Sequence, residues 1–129
     1  MSGKYLLDTN IVIALFANDV IVVEHLHNSE NIFVPSIVLG ELFYGASKSI
    51  NAKANTERIE NFANKVSTLS CDSETAKFYG AIKNHLKSIG KPIPENDIWI
   101  ASIAKQHELT LITRDDHFKF VEEISTEMW

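Results

Sequence analysis

Apolar residues along the chain fall into two alternating patterns, short continuous runs and longer runs with helical spacing. The short runs are typical of buried parallel strands, and the helical spacing is typical of helices that pack one face on a sheet. The runs predict strands at residues 4–7, 31–34, 68–70, 109–113 and 123–127. The helical spacing predicts helices at 11–16, 20–27, 37–48, 51–66, 73–90 and 94–107, and a helical turn at 115–120. Ser36 is expected to be the N-cap of the third of these helices.

The alternation of these strands and helices predicts an α/β fold. Because strand-helix-strand crossovers are almost always right-handed, crossovers of these lengths favour a parallel sheet flanked by helices. Ligands of such sheets bind outside the carboxyl ends of the strands. The rule directs attention to Asp8 and to the segment 113–116, which directly follow two predicted strands.

The composition is that of a soluble globular protein, with 45% hydrophobic and 22% charged residues in a chain of 129. This length predicts a single domain over residues 1–129. The sequence contains no apolar run of the roughly 20 residues that a membrane span needs, and it begins without the features of a signal peptide. We therefore expect a cytoplasmic protein with no membrane partner.

Charge and cysteine content narrow the chemistry. The formal charge of -5 argues against a nucleic-acid binder that works through a general basic patch. Cys71 is the single cysteine, so an intramolecular disulfide and the usual thiolate zinc sites are excluded. We expect Cys71 to be a small buried hydrophobic residue.

Four acidic residues border apolar sequence at element ends or on helix flanks. Asp8 and Asp115 directly follow predicted strands, Glu41 lies on a predicted helix, and Asp97 lies in the first turn of another. Each has a simpler structural interpretation on its own. Asp8 is suited to a helix N-cap and Asp115 to a turn. Glu41 is suited to a solvated flank, and Asp97 to a favourable charge near a helix N-terminus.

Convergence of the four carboxylates would require a cation. Two like charges about 4 Å apart repel by about 4 kcal/mol at an effective dielectric constant of 20, so a bare cluster would bind protons or cations. Oxygen ligands without cysteine favour Mg²⁺ or Mn²⁺ over Zn²⁺. These ions support phosphodiester hydrolysis by activating a bound water and neutralising charge on the phosphate.

Four segments, in this order and spacing, resemble the motifs of PIN-domain ribonucleases. They are Tyr5-Leu6-Leu7-Asp8-Thr9-Asn10, Gly40-Glu41-Leu42 with Gly45, Asn96-Asp97-Ile98-Trp99-Ile100-Ala101, and Leu111-Ile112-Thr113-Arg114-Asp115 with Phe118. The chain length and motif order resemble the VapC-type toxins of bacterial toxin-antitoxin pairs. The resemblance covers nearly the whole chain.

The resemblance implies a three-layer α/β/α sandwich with a mainly parallel sheet, ordered 3-2-1-4-5. It also implies Mg²⁺- or Mn²⁺-dependent RNA cleavage by a metal-activated water, which leaves a 5′-phosphate and a 3′-hydroxyl. The expected partners are an RNA substrate, a cognate antitoxin protein and a second copy of the chain. By position, the catalytic and metal-binding acids are Asp8, Glu41, Asp97 and Asp115. The residues expected to support these acids or to position substrate are Thr9, Asn10, Thr113, Arg114 and Asp116.

The last motif departs from the pattern of many relatives. An acid often precedes the phenylalanine at the position of Phe118, whereas this chain has His117. Asp115 is therefore the favoured fourth ligand, with Asp116 the alternative if the turn is shifted. We expect His117 to be a solvent-exposed turn residue.

Two alternatives to a nuclease differ in class. A catalytically silent PIN-like module that binds RNA or protein is disfavoured because all four acids are present. A phosphotransfer enzyme of the haloacid-dehalogenase type needs a second aspartate at position 10, where this chain has Asn10.

Overall fold

The computed structural model describes residues 3–129, so the first two residues of the predicted domain lie outside the described residues. Five strands lie within this range: β1 (Lys4–Leu7), β2 (Asn31–Pro35), β3 (Ser67–Leu69), β4 (Thr110–Ile112) and β5 (Ser125–Glu127). The helices described there are α1 (Thr9–Phe16), α2 (Val20–His27), α3 (Ser36–Ser47), α4 (Ala52–Ala63), α5 (Ser73–Ser88), α6 (Glu95–Gln106) and a 3₁₀-helix (Asp116–Phe120).

The strands form one parallel sheet in the order β3-β2-β1-β4-β5. In the register of the sheet, Tyr5 lies opposite Ile32 of β2 and Thr110 of β4. The chain crosses from β1 outward to β3 and returns to β4 on the other side of β1. The sheet order therefore reverses between β1 and β4, and the predicted α/β fold and strand order are confirmed.

The centre of the sheet is fully enclosed. Leu6, Leu7, Leu111 and Ile112 are each 0% exposed. Burial of one such side chain contributes roughly 1.5–3 kcal/mol to the free energy of folding. Strands that are apolar on both faces must be covered on both faces, which explains the continuous apolar runs in the sequence. The two central strands are thus well packed, and this packing fixes the positions of the residues that follow their carboxyl ends.

Helix caps explain several of the boundaries. Asp8 caps α1, and its side chain accepts the backbone N–H of Thr9. Asp72 and Thr75 form a reciprocal capping box at the start of α5. The prediction that Ser36 caps α3 is wrong, because Ser36 is the first helical residue and Pro35 occupies the cap position. Since β2 ends at Pro35, the strand runs directly into the helix and leaves no separate cap residue.

The prediction that Cys71 is buried is also wrong. Its side chain is exposed in the short connection between β3 and α5. Strand β3 is an edge strand of the sheet, so this connection lies at the periphery of the fold. A lone cysteine next to a strand of three residues carries little information about burial.

Among residues 3–129, no helix alone has the length and hydropathy of a membrane span. Together α1 and α2 satisfy both criteria, but the two helices meet at an angle of 103°.

Candidate functional site

Asp8 lies at the carboxyl end of β1, with a side chain that is only 4% exposed. Its Oδ1 accepts the backbone N–H of Thr9 at 2.8 Å, and its Oδ2 accepts the Thr113 hydroxyl at 2.7 Å. The Asn10 amide lies 3.4 Å from the same Oδ2. Burial is the largest influence and raises the pKa of Asp8, and the hydrogen bonds from Thr113 and Thr9 oppose it. Asp8 is therefore a helix cap and a site residue at once.

Glu41 reaches the same end of the sheet from the second turn of α3. The hydroxyl of Thr9 donates to its Oε1 at 2.9 Å. Thr9 thus orients two acids, Asp8 through its backbone N–H and Glu41 through its side chain. The charge of Glu41 contributes to the raised pKa of both Asp8 and Asp97, as expected for carboxylates that face one another.

Asp97 enters the cluster from the first turn of α6, with a side chain that is 15% exposed. Burial, the largest cause, and the charges of Asp8, Asp115 and Glu41 together raise the pKa of Asp97 to about 6. His117 opposes the rise only weakly. Asp97 therefore experiences the field of the other three acids.

Asp115 completes the cluster one residue beyond the Thr113-Arg114 pair at the end of β4. The oxygen of the Thr113 hydroxyl accepts the backbone N–H of Asp115 at 3.0 Å while the hydroxyl donates to Asp8. Oδ1 of Asp115 accepts the backbone N–H of His117 at 2.9 Å and caps the 3₁₀-helix. The four predicted acids, which are far apart in the sequence, are therefore together in the fold.

The acids line an open cleft of about 530 Å³ at the point where the sheet order reverses. Its lining consists of Asp8, Thr9, Asn10, Ile13, Glu41, Pro94, Glu95, Asn96, Asp97 and Asp115. Four of these cleft residues were not predicted from the sequence: Ile13, Pro94, Glu95 and Asn96. Their positions relative to the predicted site residues could have identified two of them, because Asn96 directly precedes Asp97 and Ile13 lies one helical turn after Thr9. Glu95 is distinct from the central acids, because Lys83 Nζ and the Tyr79 hydroxyl each lie 2.5 Å from its carboxylate.

Two of the predicted supporting residues do not reach the cleft. The Arg114 guanidinium binds Oδ2 of Asp19 at 2.9 Å and the Trp129 carbonyl oxygen at 2.8 Å. Its backbone N–H nonetheless donates to Asn10 Oδ1 at 3.2 Å, which links the segment after β4 to the first turn of α1. Asp116 is exposed and outside the cleft lining. The structure thus places Asp115 rather than Asp116 among the acids.

The chemistry of the cluster fits a divalent cation. Its side chains offer carboxylate oxygens, the ligand type that hard cations prefer. Burial is the main cause of the raised pKa values of Asp8 and Asp97, and the charges of the neighbouring acids add to it, so full ionisation of the cluster is disfavoured when no cation is bound. A parallel sheet with an acidic cleft at its switch point places the protein among the α/β proteins that bind ligands at this edge of the sheet.

Comparison with known proteins gives the family. The PIN domain family matches residues 5–124. The chain is 36% identical to ribonuclease VapC2 of Haemophilus influenzae and 33% identical to tRNA(fMet)-specific endonuclease VapC of Shigella flexneri, with 98% of each chain covered in both comparisons. The structure of VapBC2 from Rickettsia felis, bound to a promoter DNA fragment, superimposes with a TM-score of 0.91 at 30% identity, over 98% of both chains. The chain therefore belongs to the PIN-domain family.

Proposed function

We propose that this protein is an endoribonuclease of the PIN-domain family that uses Mg²⁺ or Mn²⁺ and acts as the toxin of a toxin-antitoxin pair. The observation that carries the proposal is the convergence of Asp8, Glu41, Asp97 and Asp115 on one cleft. Full-length similarity to proteins named as ribonucleases supports the reaction class. The retention of all four acids argues against a silent binding module.

The role of each residue follows from its contacts. Asp8, Glu41, Asp97 and Asp115 would hold the cation, which would lower the pKa of a bound water and neutralise charge on the scissile phosphate. Thr9 orients Asp8 and Glu41, whereas Thr113 orients Asp8 and the backbone of Asp115. Such hydrogen bonds keep the ligand oxygens directed at one point and so reduce the reorganisation needed on binding.

The cation also accounts for how an acidic cleft accepts RNA. Four carboxylates would repel a phosphodiester backbone, and a bound divalent ion removes much of that charge. Beside the cleft, the exposed Tyr44 lies one helical turn after Glu41, with Lys48 Nζ 4.5 Å from the centre of its ring. This pair offers an aromatic face and a positive charge to a nucleotide next to the scissile bond.

We further propose a cognate antitoxin as protein partner and the cytoplasm as location. The Rickettsia felis relative was solved as a VapBC2 complex, which supports a partner of the antitoxin type for this chain. The single domain spanning 1–129 and the homodimer both remain predictions. Light scattering of the purified protein tests the dimer, and co-expression with the product of the adjacent reading frame tests the antitoxin by restoring growth.

The experiment that tests the function is RNA cleavage by purified protein, with and without EDTA. Wild-type protein is expected to cleave, EDTA to stop the reaction, and added Mg²⁺ or Mn²⁺ to restore it. Asp8→Asn is expected to be inactive yet folded, because the change removes a charged ligand and preserves volume. Cleavage that persists in EDTA, or in folded Asp8→Asn protein, would contradict the proposal.

A paired comparison sharpens the ligand assignment. Asp115→Asn is expected to abolish cleavage, whereas Asp116→Asn is expected to have a much smaller effect because its side chain is exposed outside the cleft. The reverse result would show that the turn after β4 is shifted. Sequencing of RNA ends after brief expression, against the Asp8→Asn control, would identify the substrate.

A further inference from the structure

His117 brings an imidazole nitrogen to the acidic cluster. Its Nδ1 lies 2.8 Å from Oδ1 of Asp115 and 3.9 Å from Oδ2 of Asp97. The backbone N–H of His117 donates to the same Oδ1 of Asp115 at 2.9 Å and caps the 3₁₀-helix, so the backbone and the ring of His117 both contact this carboxylate. One ligand atom from each of these three residues lies within 4.8 Å of the others.

The separations match those of ligands that share one cation. In an octahedral site with bonds of about 2.1 Å, adjacent ligand atoms lie roughly 3.0 Å apart and opposite ones roughly 4.2 Å apart. The His117 nitrogen is at about the adjacent distance from Asp115 and close to the opposite distance from Asp97. We propose that Nδ1 of His117 is a direct ligand of the divalent cation, beside Asp97 and Asp115. The proposal rests on the proposed function, since it assumes a cation at this cluster.

A nitrogen ligand changes which cation the site prefers. Mg²⁺ favours oxygen ligands almost exclusively, whereas imidazole binds first-row transition ions well. A mixed site of carboxylates and one imidazole therefore favours Mn²⁺ over Mg²⁺. The side chain of His117 is 51% exposed, so the cation position beside it is open to water and substrate.

The direct test is pulsed electron paramagnetic resonance of Mn²⁺ bound to the full-length protein. Wild-type protein is expected to show coupling of Mn²⁺ to ¹⁴N, and the pattern should change to that of ¹⁵N when only histidine is labelled. His117→Ala should lose the coupling, and His107→Ala should retain it, since His107 is exposed at the end of α6. Absence of histidine coupling in Mn²⁺-loaded wild-type protein would overturn the proposal.

A second variant separates ligation from simple support of Asp115. His117→Asp keeps a ligand atom but exchanges nitrogen for oxygen, so it should bind Mn²⁺ without nitrogen coupling. Its preference for Mn²⁺ over Mg²⁺, measured by competition, should fall about tenfold. An unchanged preference would contradict ligation, because a histidine that only hydrogen-bonds to Asp115 would not set the choice of metal.

Failure of this proposal and failure of the proposed function give different results. If wild-type protein binds Mn²⁺ without histidine coupling and Asp97→Asn abolishes binding, the acidic cation site stands and the role of His117 falls. If wild-type protein binds no Mn²⁺ at millimolar concentration, both fall.

Discussion

The interior of the sheet and the residues that immediately follow its strands differ sharply over a single peptide bond. Leu7 and Ile112 are 0% exposed and apolar, and the next residues, Asp8 and Thr113, are polar yet only 4% and 5% exposed. The first pair stabilises the fold by burying apolar surface. The second pair begins a cluster whose like charges oppose folding until a cation binds.

Stability and function therefore depend on two neighbouring groups of residues. The apolar layer consists of Leu6, Leu7, Leu111 and Ile112, and the acidic layer consists of Asp8, Glu41, Asp97 and Asp115. The hydrogen bond from Asp8 N to the Ile112 carbonyl at 3.0 Å carries the pairing of β1 and β4 right up to the acids. A sheet centre that is fully buried can hold carboxylates in an unfavourable arrangement, because its own stability does not depend on them. Substitutions in the apolar layer should therefore lower stability with little effect on cleavage, and substitutions in the acidic layer should lower cleavage without lowering the stability of the metal-free protein.

The largest effect is expected from Leu111→Ala in the apolar layer. Leu111 is 0% exposed and lies opposite Leu6 in the sheet, so the change leaves a cavity and should lower the free energy of unfolding by about 2–5 kcal/mol. Urea denaturation measures the loss, and Val20→Ala, at a side chain that is 74% exposed, should change it by less than about 0.5 kcal/mol. Cleavage per folded molecule should change little. A Leu111→Ala protein that is as stable as wild type but inactive would show that the apolar layer contributes to activity rather than to stability.

Asp97→Asn is the matched change in the acidic layer. Loss of a metal ligand should reduce cleavage by about 100-fold or more. The same change removes a half-buried charge that the other acids repel, so metal-free protein should become more stable at pH 7. Cleavage assays and urea denaturation in EDTA measure the two effects. A variant that is less stable than wild type would show that Asp97 supports the fold rather than opposing it.

The pH dependence of stability is the next effect. The folded protein raises the pKa of Asp97 from 3.8 to about 6, so it holds this proton more tightly than the unfolded chain. The stabilisation is complete below about pH 4 and is lost as pH rises through 6, a change of at most about 3 kcal/mol. The difference between wild type and Asp97→Asn in EDTA isolates this contribution. A difference that is constant from pH 4 to 7 would contradict it.

Thr113→Val should have the smallest effect of the set. It preserves shape but removes the hydroxyl that donates to Asp8 and accepts from the Asp115 backbone. The expected cost is about 1–2 kcal/mol of stability and roughly tenfold in cleavage. Thr113→Ser, which keeps the hydroxyl, should restore most of the activity. If serine fails where valine also fails, packing rather than hydrogen bonding is the role of this residue.

Much of the fold and the cluster could be predicted because each depends on local patterns. The strand runs are apolar since both faces are covered, and Asp8 and Asp115 come together because parallel strands end at one edge. Glu41 and Asp97 were candidates because they also border apolar sequence, but the resemblance was needed to assign them to the same site as Asp8 and Asp115. The order of the sheet likewise came from the resemblance and was confirmed.

The side-chain positions in the turn after β4 could not be predicted, because they depend on tertiary contacts that local sequence patterns do not reveal. The sequence alone does not distinguish the consecutive acids Asp115 and Asp116. In the structure, Asp115 caps the 3₁₀-helix and lines the cleft, whereas Asp116 does not line it. His117 is an exposed turn residue, as expected, but the same turn also places its ring against Asp115, a contact that the sequence did not predict. From the sequence, Arg114 is expected to position substrate, but in the structure its guanidinium forms an ion pair with Asp19.

Calorimetric titration with Mn²⁺ measures whether the four carboxylates form one cation site. Wild-type protein should bind, and Asp8→Asn, Glu41→Gln, Asp97→Asn and Asp115→Asn should each weaken binding by about tenfold or more while remaining folded. Undiminished affinity in these folded variants, or no binding by the wild-type protein at millimolar Mn²⁺, would show that the four carboxylates do not form a cation site.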